Sequence, residues 1–309
     1  MDSVATMMDY VCSKPLTLKH MLHLTDFSPC SEAALAWAIG LARANGAKLS
    51  VLHVVVPDPR LYVTADSAAV AYDLQESKAQ EEIRRIEQRL SDLPHDVSVV
   101  HSGDFWTAVD KKLQEHETDL VVLGTHGLTG LQKVLMGSGA ETVVRKSRVP
   151  VITVGPVVGV GRAHHGAFHR VLLATDFGAG AFEAASFAIS LALGTHGELT
   201  LLHVCTKGKG RGPEGWSLSV AEAMHRLHET IAGADRFEHR PELMVEFGDP
   251  AAKILQVARD KKAELIVMGI RTNRNVFAAT HLGASTTHHV IAEAPCPVLT
   301  VRPQFRSVT

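Results

Sequence analysis

The chain contains a cluster of glycine and serine residues directly after an apolar run, and their types and spacing suggest that they bind an anion. Gly124, Gly127 and Gly137 follow the apolar run 120–123, and Ser138 comes directly after the last glycine. Glycine tolerates positive φ and lets the backbone approach a ligand closely, so amide N–H groups can converge on phosphate oxygens while Ser138 adds a hydroxyl donor. Ordinary strand-to-helix turns have the same composition. The stretch is therefore either a phosphate-binding loop or a plain turn, and its context must decide.

That context is an internal duplication of the chain. The matching pairs of segments are 24–27 with 174–177, 52–54 with 202–204, 103–104 with 248–249, 119–124 with 264–269, and 149–154 with 296–301. Because the order is the same in both copies, the sequence predicts a tandem repeat of a unit of normal domain size. We expect domains at 16–155 and 168–303, joined by a glycine-rich linker at 156–167.

Each copy alternates short apolar runs with longer amphipathic ones. In the first copy, the short runs rich in branched residues predict strands at 21–25, 49–55, 97–101, 120–123 and 151–154. Helices are predicted at 31–45 and at 74–90, where Ile83, Ile86 and Leu90 share one face. Continuous apolar strands alternating with helices are typical of parallel, doubly wound sheets. The predicted fold class is α/β, with two tandem Rossmann-like five-stranded parallel sheets flanked by helices.

Composition argues against several classes of function. The 309 residues are 46% hydrophobic and 21% charged, with a formal net charge of -2, so no electrostatic bias favours nucleic acid or anionic membrane. The four cysteines form no Cys-x-x-Cys pair, which disfavours a zinc site or a disulfide framework and predicts packing roles. No run approaches the roughly 18 apolar residues of a membrane span. We expect a cytoplasmic protein that binds neither nucleic acid nor membrane.

The duplicated residues resemble the universal stress protein family, and in particular its tandem two-domain members. The resemblance covers most of residues 17–303 and rests on Thr-Asp-Phe-Ser at 25–28, Leu-His-Val-Val at 52–55 and the glycine pattern. The ATP-binding branch of that family carries G-x2-G-x9-G-[S/T], which the glycines and the serine named above match at every position. The resemblance implies a HUP-type fold, ATP (or AMP or ADP) in the first domain, Mg²⁺ accompanying the nucleotide, and a nucleotide-dependent role in stress response or signalling.

The resemblance also implies which residues bind the nucleotide. Open α/β sheets bind ligands beyond the carboxyl ends of their strands, where the strand order reverses, and Asp26 and Gly124 fall at such ends. By analogy, Asp26 and the backbone near Leu24 and Val54 hold the adenosine, and amides at a helix start bind the phosphates. The candidate residues are Leu24, Thr25, Asp26, Val54, Leu123, Gly124, His126, Gly127, Gly137, Ser138, Gly139 and Ala140. Capping of the helix at Ser31 is an alternative role for Asp26, compatible with the first.

The second copy departs from the motif. Gly269 survives, Thr272 replaces the second glycine, one residue is inserted, and Ala284 takes the position of the serine. A β-branched residue where positive φ is required costs about 1–3 kcal/mol, so we expect one nucleotide site rather than two. The residues of the second, weaker candidate site are Asp176, Val204, Gly269, Gly283 and Ser285, with Arg271 and Arg274 as alternative phosphate ligands.

No catalytic residue is assigned. The chain lacks G-x-S-x-G, HExxH and GK[S/T] motifs, and no general base is evident beside the glycines. Histidines 164, 165 and 169, and 281, 288 and 289, lack a cysteine or carboxylate to complete a metal site, so none is assigned. Glu141 either complements the helix dipole or helps to hold Mg²⁺ through water. A nucleotide-binding module is favoured over a slow ATPase or nucleotidyl-transfer enzyme and over a nucleotide-free interaction scaffold.

The expected partners are an adenine nucleotide and a protein whose identity the sequence does not give. The resemblance implies that the last strands of the two domains, 151–154 and 298–301, pair across a pseudo-twofold axis. Such pairing buries exposed strand edges. The chain would then be an intramolecular pseudo-dimer, with a homodimer of two chains as a further stage of assembly.

Overall fold

The structure is a computed structural model that describes residues 17–57, 65–125, 136–158, 163, 166–207, 218–231, 236–270 and 285–303. Its strands are β1 His20–Thr25, β2 Lys48–Val55, β3 His95–His101, β4 Leu120–Gly124, β5 Val151–Val154, β6 Arg170–Ala174, β7 Glu198–Cys205, β8 Glu242–Phe247, β9 Leu265–Gly269 and β10 Val298–Val301. Its helices are α1 Pro29–Asn45, α2 Ala65–Arg89, α3 Phe105–Glu115, α4 Ser138–Lys146, α5 Ala181–Gly194, α6 Val220–Thr230, α7 Pro250–Asp260 and α8 Thr286–Glu293. No helix in these ranges has the length and apolar character needed to cross a bilayer.

The strands form one sheet in the order β3-β2-β1-β4-β5-β10-β9-β6-β7-β8. Within the first half (β1 to β5) and the second half (β6 to β10), neighbouring strands are parallel. The strand order of the first half reverses between β1 and β4, and that of the second half between β6 and β9. β5 and β10 pair antiparallel and join the halves. The predicted five-stranded parallel sheets and the predicted pairing of the last strands are therefore confirmed.

A reciprocal pair of hydrogen bonds marks the pseudo-twofold axis at this junction. The Thr153 hydroxyl donates to the Val298 carbonyl at 3.2 Å, and the Thr300 hydroxyl donates to the Val151 carbonyl at 3.3 Å. Both threonines are buried. Since each hydroxyl satisfies a carbonyl of the other half, two polar side chains are accommodated inside the shared core.

Helices cover both faces of the sheet, which explains why its strands are apolar at successive residues. Met21 and Leu22 are both fully buried but belong to different hydrophobic clusters. Each cluster contains residues of both halves, so the halves share their cores. The predicted helix face of Ile83, Ile86 and Leu90 is buried, as expected. Three of the four cysteines, Cys30, Cys205 and Cys296, are buried and form no disulfide, which confirms their predicted packing role.

Caps account for several helix boundaries. α1 begins at Pro29, two residues before its predicted start, because Ser28 caps it and proline suits the first turn. The Gly-Asp pairs at the ends of β3 and β8 supply caps, as their composition predicts. Asp104 accepts from the Thr107 amide at 2.7 Å, and Asp249 accepts from the Ala252 amide at 2.9 Å.

The end of the predicted linker packs closely on α1. A Cβ atom added to Gly40 would lie 2.1 Å from the carbonyl oxygen of Ala163, and one added to Gly166 would lie 2.1 Å from that of Gly40. The buried ring of Phe168 stacks on Trp37, with 5.2 Å between ring centroids. Gly40 is therefore the point where helix and linker backbones touch.

Gly40→Ala should destabilise the protein although alanine is the better helix former. Inside a helix this exchange normally stabilises by about 1 kcal/mol. Here the added methyl group must displace a backbone carbonyl, and overpacking costs about 1–3 kcal/mol. The overpacking cost less the helix-propensity gain predicts that the free energy of unfolding in urea falls by about 1 kcal/mol. Gly194→Ala is the control, since no atom lies within 4 Å of its added Cβ. A G40A protein as stable as wild type would contradict the contact.

Candidate functional site

The turn after β1 is built by hydrogen bonds from its own side chains. The Thr25 hydroxyl oxygen accepts from the Phe27 amide at 3.1 Å and from the Ser31 hydroxyl at 2.9 Å. Asp26 Oδ1 accepts from the Ser28 amide at 3.0 Å, and Phe27 takes φ of 61°. Ser28, not Asp26, caps α1, because the Ser28 hydroxyl accepts from the Ser31 amide. The capping role considered for Asp26 is therefore wrong, and its carboxylate closes a tight turn at the end of β1 instead.

His53 fixes this turn against β2 and was not predicted as a site residue. Its Nδ1 lies 2.8 Å from the Thr25 carbonyl, so Nδ1 carries the proton and donates. Its ring packs on Phe27, with 4.3 Å between ring centroids. Burial lowers the pKa of His53, which keeps the ring neutral at physiological pH. Val54, the next residue, is thereby held at the carboxyl end of β2, beside Asp26. The recurrence of Leu-His-Val in both copies is the sequence feature that could have identified His53.

The second half repeats this turn. His203 Nδ1 donates to the Thr175 carbonyl at 2.9 Å, and its ring stacks on Phe177 with 4.6 Å between centroids. Asp176 Oδ1 accepts from the Gly178 amide at 2.7 Å. Both halves therefore keep the architecture that surrounds the proposed nucleoside position, including Val204 after His203.

The first motif glycine serves helix packing. A Cβ atom on Gly124 would lie 2.6 Å from the backbone of Cys30 and of Ser31, where α1 crosses the end of β4. A Cβ atom on Gly269 would lie 2.6 Å from the Gly180 carbonyl oxygen, at the equivalent crossing. Neither glycine has positive φ. The expectation that Gly124 serves positive φ is wrong, and the helix that crosses this glycine explains its survival in both copies. Contact of Gly124 with a nucleotide stays a prediction.

Backbone hydrogen bonds join Thr125 to β5 and Gly137 to Thr125 at the end of β4. The Thr125 amide donates to the Val154 carbonyl at 3.0 Å, and the Gly137 amide donates to the Thr125 carbonyl at 2.8 Å. His126 and Gly127 lie outside the described residues. Leu123 and Leu24 are buried beneath this end of the sheet. The bond between Gly137 and Thr125 therefore places Gly137 directly beyond β4, at the point where the strand order reverses.

α4 starts at this point without a side-chain cap. Its N-cap is Gly137, with φ of −59° and ψ of 147°, so positive φ is not what this glycine provides. The first three amides, those of Ser138, Gly139 and Ala140, have no intrahelical partner, as at any helix start. Ser138 is exposed. An anion at this helix end would meet three N–H donors and the positive end of the helix dipole.

α8, the equivalent helix of the second half, caps itself. The Ser285 hydroxyl accepts from the His288 amide at 3.2 Å, so one of the amides that would face an anion is already bonded. The C-caps align the two helices, since Ser147 bonds to Val143 as Ala294 bonds to Val290. This alignment places Ser285 opposite Ser138, and Ala284 opposite Gly137. The sequence alignment that put Ala284 at the serine position was therefore displaced by one residue. Gly283 and residues 271–274 lie outside the described part.

Converging metal ligands are not found in the described ranges. No group of three His, Cys, Asp or Glu side chains there could hold a metal ion. Glu141 lies in the first turn of α4, on the side of the helix start. His164, His165 and His281 fall outside the described residues.

Comparison with known proteins gives the family. A sequence profile described as the universal stress protein family matches residues 17–155 and again residues 167–302. A universal stress protein of Mycolicibacterium smegmatis is 27% identical over 292 residues, which are 90% of this chain and 95% of that protein. Universal stress protein A homolog 1 of Coxiella burnetii is 32% identical over 142 residues, 44% of this chain and 95% of its own.

A solved structure agrees with this assignment at the level of the fold. A universal stress protein from Archaeoglobus fulgidus superposes with a TM-score of 0.69 at 23% identity, covering 94% of this chain and 100% of the other. Its coverage of both halves matches the tandem arrangement seen here. With one profile match in each half and a shared α/β fold, the chain belongs to the universal stress protein family as a tandem, two-domain member.

Proposed function

We propose that the first half of the chain binds ATP, or the related ADP and AMP, and that the second half does not. The observation that carries this proposal is the contrast between two helix starts. α4 begins behind Gly137 and has no side-chain cap, whereas α8 begins with Ser285 bonded to its own backbone. The start of α4 therefore leaves its amides for an external acceptor, and phosphate is the anion that the glycine motif fits.

Asp26 and Val54 are proposed to hold the nucleoside. They follow β1 and β2, and Asp26 lies beside β4 because β1 pairs with both β2 and β4. Oδ1 of Asp26 accepts the Ser28 amide, while Oδ2 has no hydrogen bond to the described residues. A carboxylate oxygen at this position would accept a ribose hydroxyl, which is a donor of the right type.

Mg²⁺ would enter this site with the nucleotide rather than bind alone. Mg²⁺ usually keeps several waters and is held by one or two carboxylates together with substrate phosphates. Glu141, in the first turn of α4, is the carboxylate on the phosphate side of the site and fits that role. The ion would neutralise phosphate charge there.

The proposed module spans residues 16–155, with a linker at 156–167 and a second domain at 168–303. We propose that it acts in stress response or signalling by reporting nucleotide state to a protein partner. Slow ATP hydrolysis, nucleotidyl transfer and a nucleotide-free scaffold are the alternatives. Turnover that rises with Mg²⁺ would favour the enzyme, and protein that carries no nucleotide and gains no thermal stability from ATP would favour the scaffold.

Calorimetric titration of ATP into the full chain tests the proposal. We expect one ATP per chain, because the Ser285 hydroxyl already accepts an amide at the start of α8 whereas α4 has no side-chain cap. Mass spectrometry of nucleotide released from freshly purified protein is the companion measurement. Two equivalent sites would contradict the contrast between the halves, and absence of binding would refute the proposed function.

A further inference from the structure

A histidine of the second half contacts the backbone at the entry to α4 of the first half. The Met136 amide, one residue before the N-cap Gly137, donates to His288 Nε2 at 3.4 Å. Both residues are buried, with Met136 5% exposed and His288 2% exposed. Accepting this bond requires a lone pair on Nε2, so that nitrogen is unprotonated. A residue of α8 therefore fixes the backbone immediately before the helix start that is proposed to meet phosphate.

The second half also contacts the other end of the same helix. The Arg302 guanidinium, which follows β10, donates through Nη1 to the Arg145 carbonyl in the last turn of α4. Carbonyls at a helix C-terminus lack intrahelical donors, and a cation there is favoured by the helix dipole. α4 is thus held at its entry by His288 and in its last turn by Arg302, both from the second half.

The first half does not carry the corresponding side chains with which it could hold α8 in the same way. The C-cap alignment of α4 with α8 puts Glu141 opposite His288, and the paired strands put Gly155 opposite Arg302. Glycine has no side chain with which to hold a helix end. The two halves are therefore unequal at their junction, and the inequality favours support of α4 by the second half.

The self-capped start of α8 fits this supporting role. The amide of His288 donates to the Ser285 hydroxyl at 3.2 Å, so the residue whose ring supports Met136 has its own backbone fixed by the cap. The cap that occupies one amide at the start of α8 thus also fixes the backbone of the residue that supports α4. Preorganised donors bind a charged group better than donors that must be ordered on binding.

We propose that His288 of the second half is a positioning residue for the phosphate-binding helix start of the first half. The proposal rests on the proposed nucleotide function of that half. His288 holds Met136, and through it the amides of Ser138 to Ala140, in the arrangement that receives phosphate. Its effect is on phosphate and not on the nucleoside, because Asp26 and Val54 follow other strands.

A pair of polar substitutions in the full chain tests this assignment. His288→Gln keeps an acceptor at the position of Nε2, whereas His288→Asn keeps one only at the position of Nδ1, too short to reach Met136. We expect H288N to bind ATP about tenfold more weakly than wild type. Adenosine affinity should change by less than about twofold, and H288Q should restore ATP binding. His289→Asn, at the exposed neighbour on the same helix, should match wild type.

Amide hydrogen exchange provides a readout that does not require nucleotide. Without ligand, the Met136 amide should exchange at least about tenfold faster in H288N than in H288Q, because its acceptor is lost. Unchanged exchange at Met136 would overturn the proposal, as would equal losses of ATP and adenosine affinity in H288N. If wild type binds no ATP while Met136 exchange responds as expected, the proposed function fails and the support of α4 by His288 stands.

Discussion

Replacing Gly137 with aspartate should weaken ATP binding by at least about 100-fold while leaving the protein as stable as wild type or slightly more stable. The backbone at Gly137, with φ of −59° and ψ of 147°, is one that aspartate adopts readily. As the N-cap of α4, the new carboxylate would accept an amide of the first turn and place a negative charge where phosphate is proposed to bind. Lost hydrogen bonds to a charged ligand alone are worth about 1.5–3 kcal/mol, and about 2.7 kcal/mol corresponds to 100-fold.

A loss of ATP affinity without a loss of stability would show that Gly137→Asp acts on the binding site and does not damage the fold. An aspartate N-cap stabilises a helix by a few tenths of a kcal/mol relative to glycine. Gly137→Ala is the matched control, because alanine fits the same backbone but has no oxygen with which to cap. It should retain ATP affinity within a few-fold, as measured by calorimetry beside urea denaturation. G137D protein that binds ATP like wild type would show that phosphate does not occupy the start of α4.

The second large effect expected is on stability in acid, at His23. This histidine lies in β1 and is completely buried. Its Nδ1 is 3.1 Å from the Val122 carbonyl and must donate, and its Nε2 has no hydrogen-bond partner in the described structure. Burial lowers the pKa of His23 from 6.5 to about 4. The strand pairings β1–β4 and β6–β9 place Leu173 at the equivalent position of the second half.

His23→Leu should therefore stabilise the protein increasingly as pH falls from about 6.5 to about 4. In that range the unfolded chain binds a proton at His23 and the folded chain does not, so protonation favours unfolding. A shift of this size corresponds to about 3 kcal/mol, present in full below the lower value and absent well above the upper one. Leucine removes the titrating group and lacks an unpaired polar atom.

Urea denaturation of H23L and wild type between pH 4 and pH 8 measures the difference. The gain of H23L over wild type should grow toward low pH. His225→Leu, at a side chain that is 73% exposed, is the surface control. A gain for H23L that is constant with pH would mean that His23 titrates normally in the folded protein.

Much of the fold follows from the sequence because its causes are local. Runs of branched residues at 151–154 and 298–301 predict strands wherever they occur, and the repeat then predicts two equal halves. Met21 and Leu22 are adjacent in the chain and both buried, because helices cover both faces of the sheet. A strand in such a sheet is apolar at successive residues, so its sequence identifies it directly. The Gly-Asp caps at Asp104 and Asp249 are equally local.

The parts that the sequence alone did not predict depend on residues that are distant in the chain. Gly124 fits a phosphate motif, but its lack of a side chain is required by α1, whose backbone crosses it. The role of Ser285 as a cap follows from where α8 begins, which the glycine pattern does not indicate. His288 meets Met136 only because β5 and β10 join the halves. These contacts depend on how the helices pack on the sheet, which the sequence pattern alone does not predict.

Amide hydrogen exchange of the full chain, followed residue by residue with and without ATP, tests most directly whether the start of α4 is the phosphate site. ATP should slow exchange of the amides of Ser138, Gly139 and Ala140, and leave unchanged the equivalent amides at the start of α8. Equal protection at both helix starts, or protection at α8 alone, would contradict a single nucleotide site in the first half.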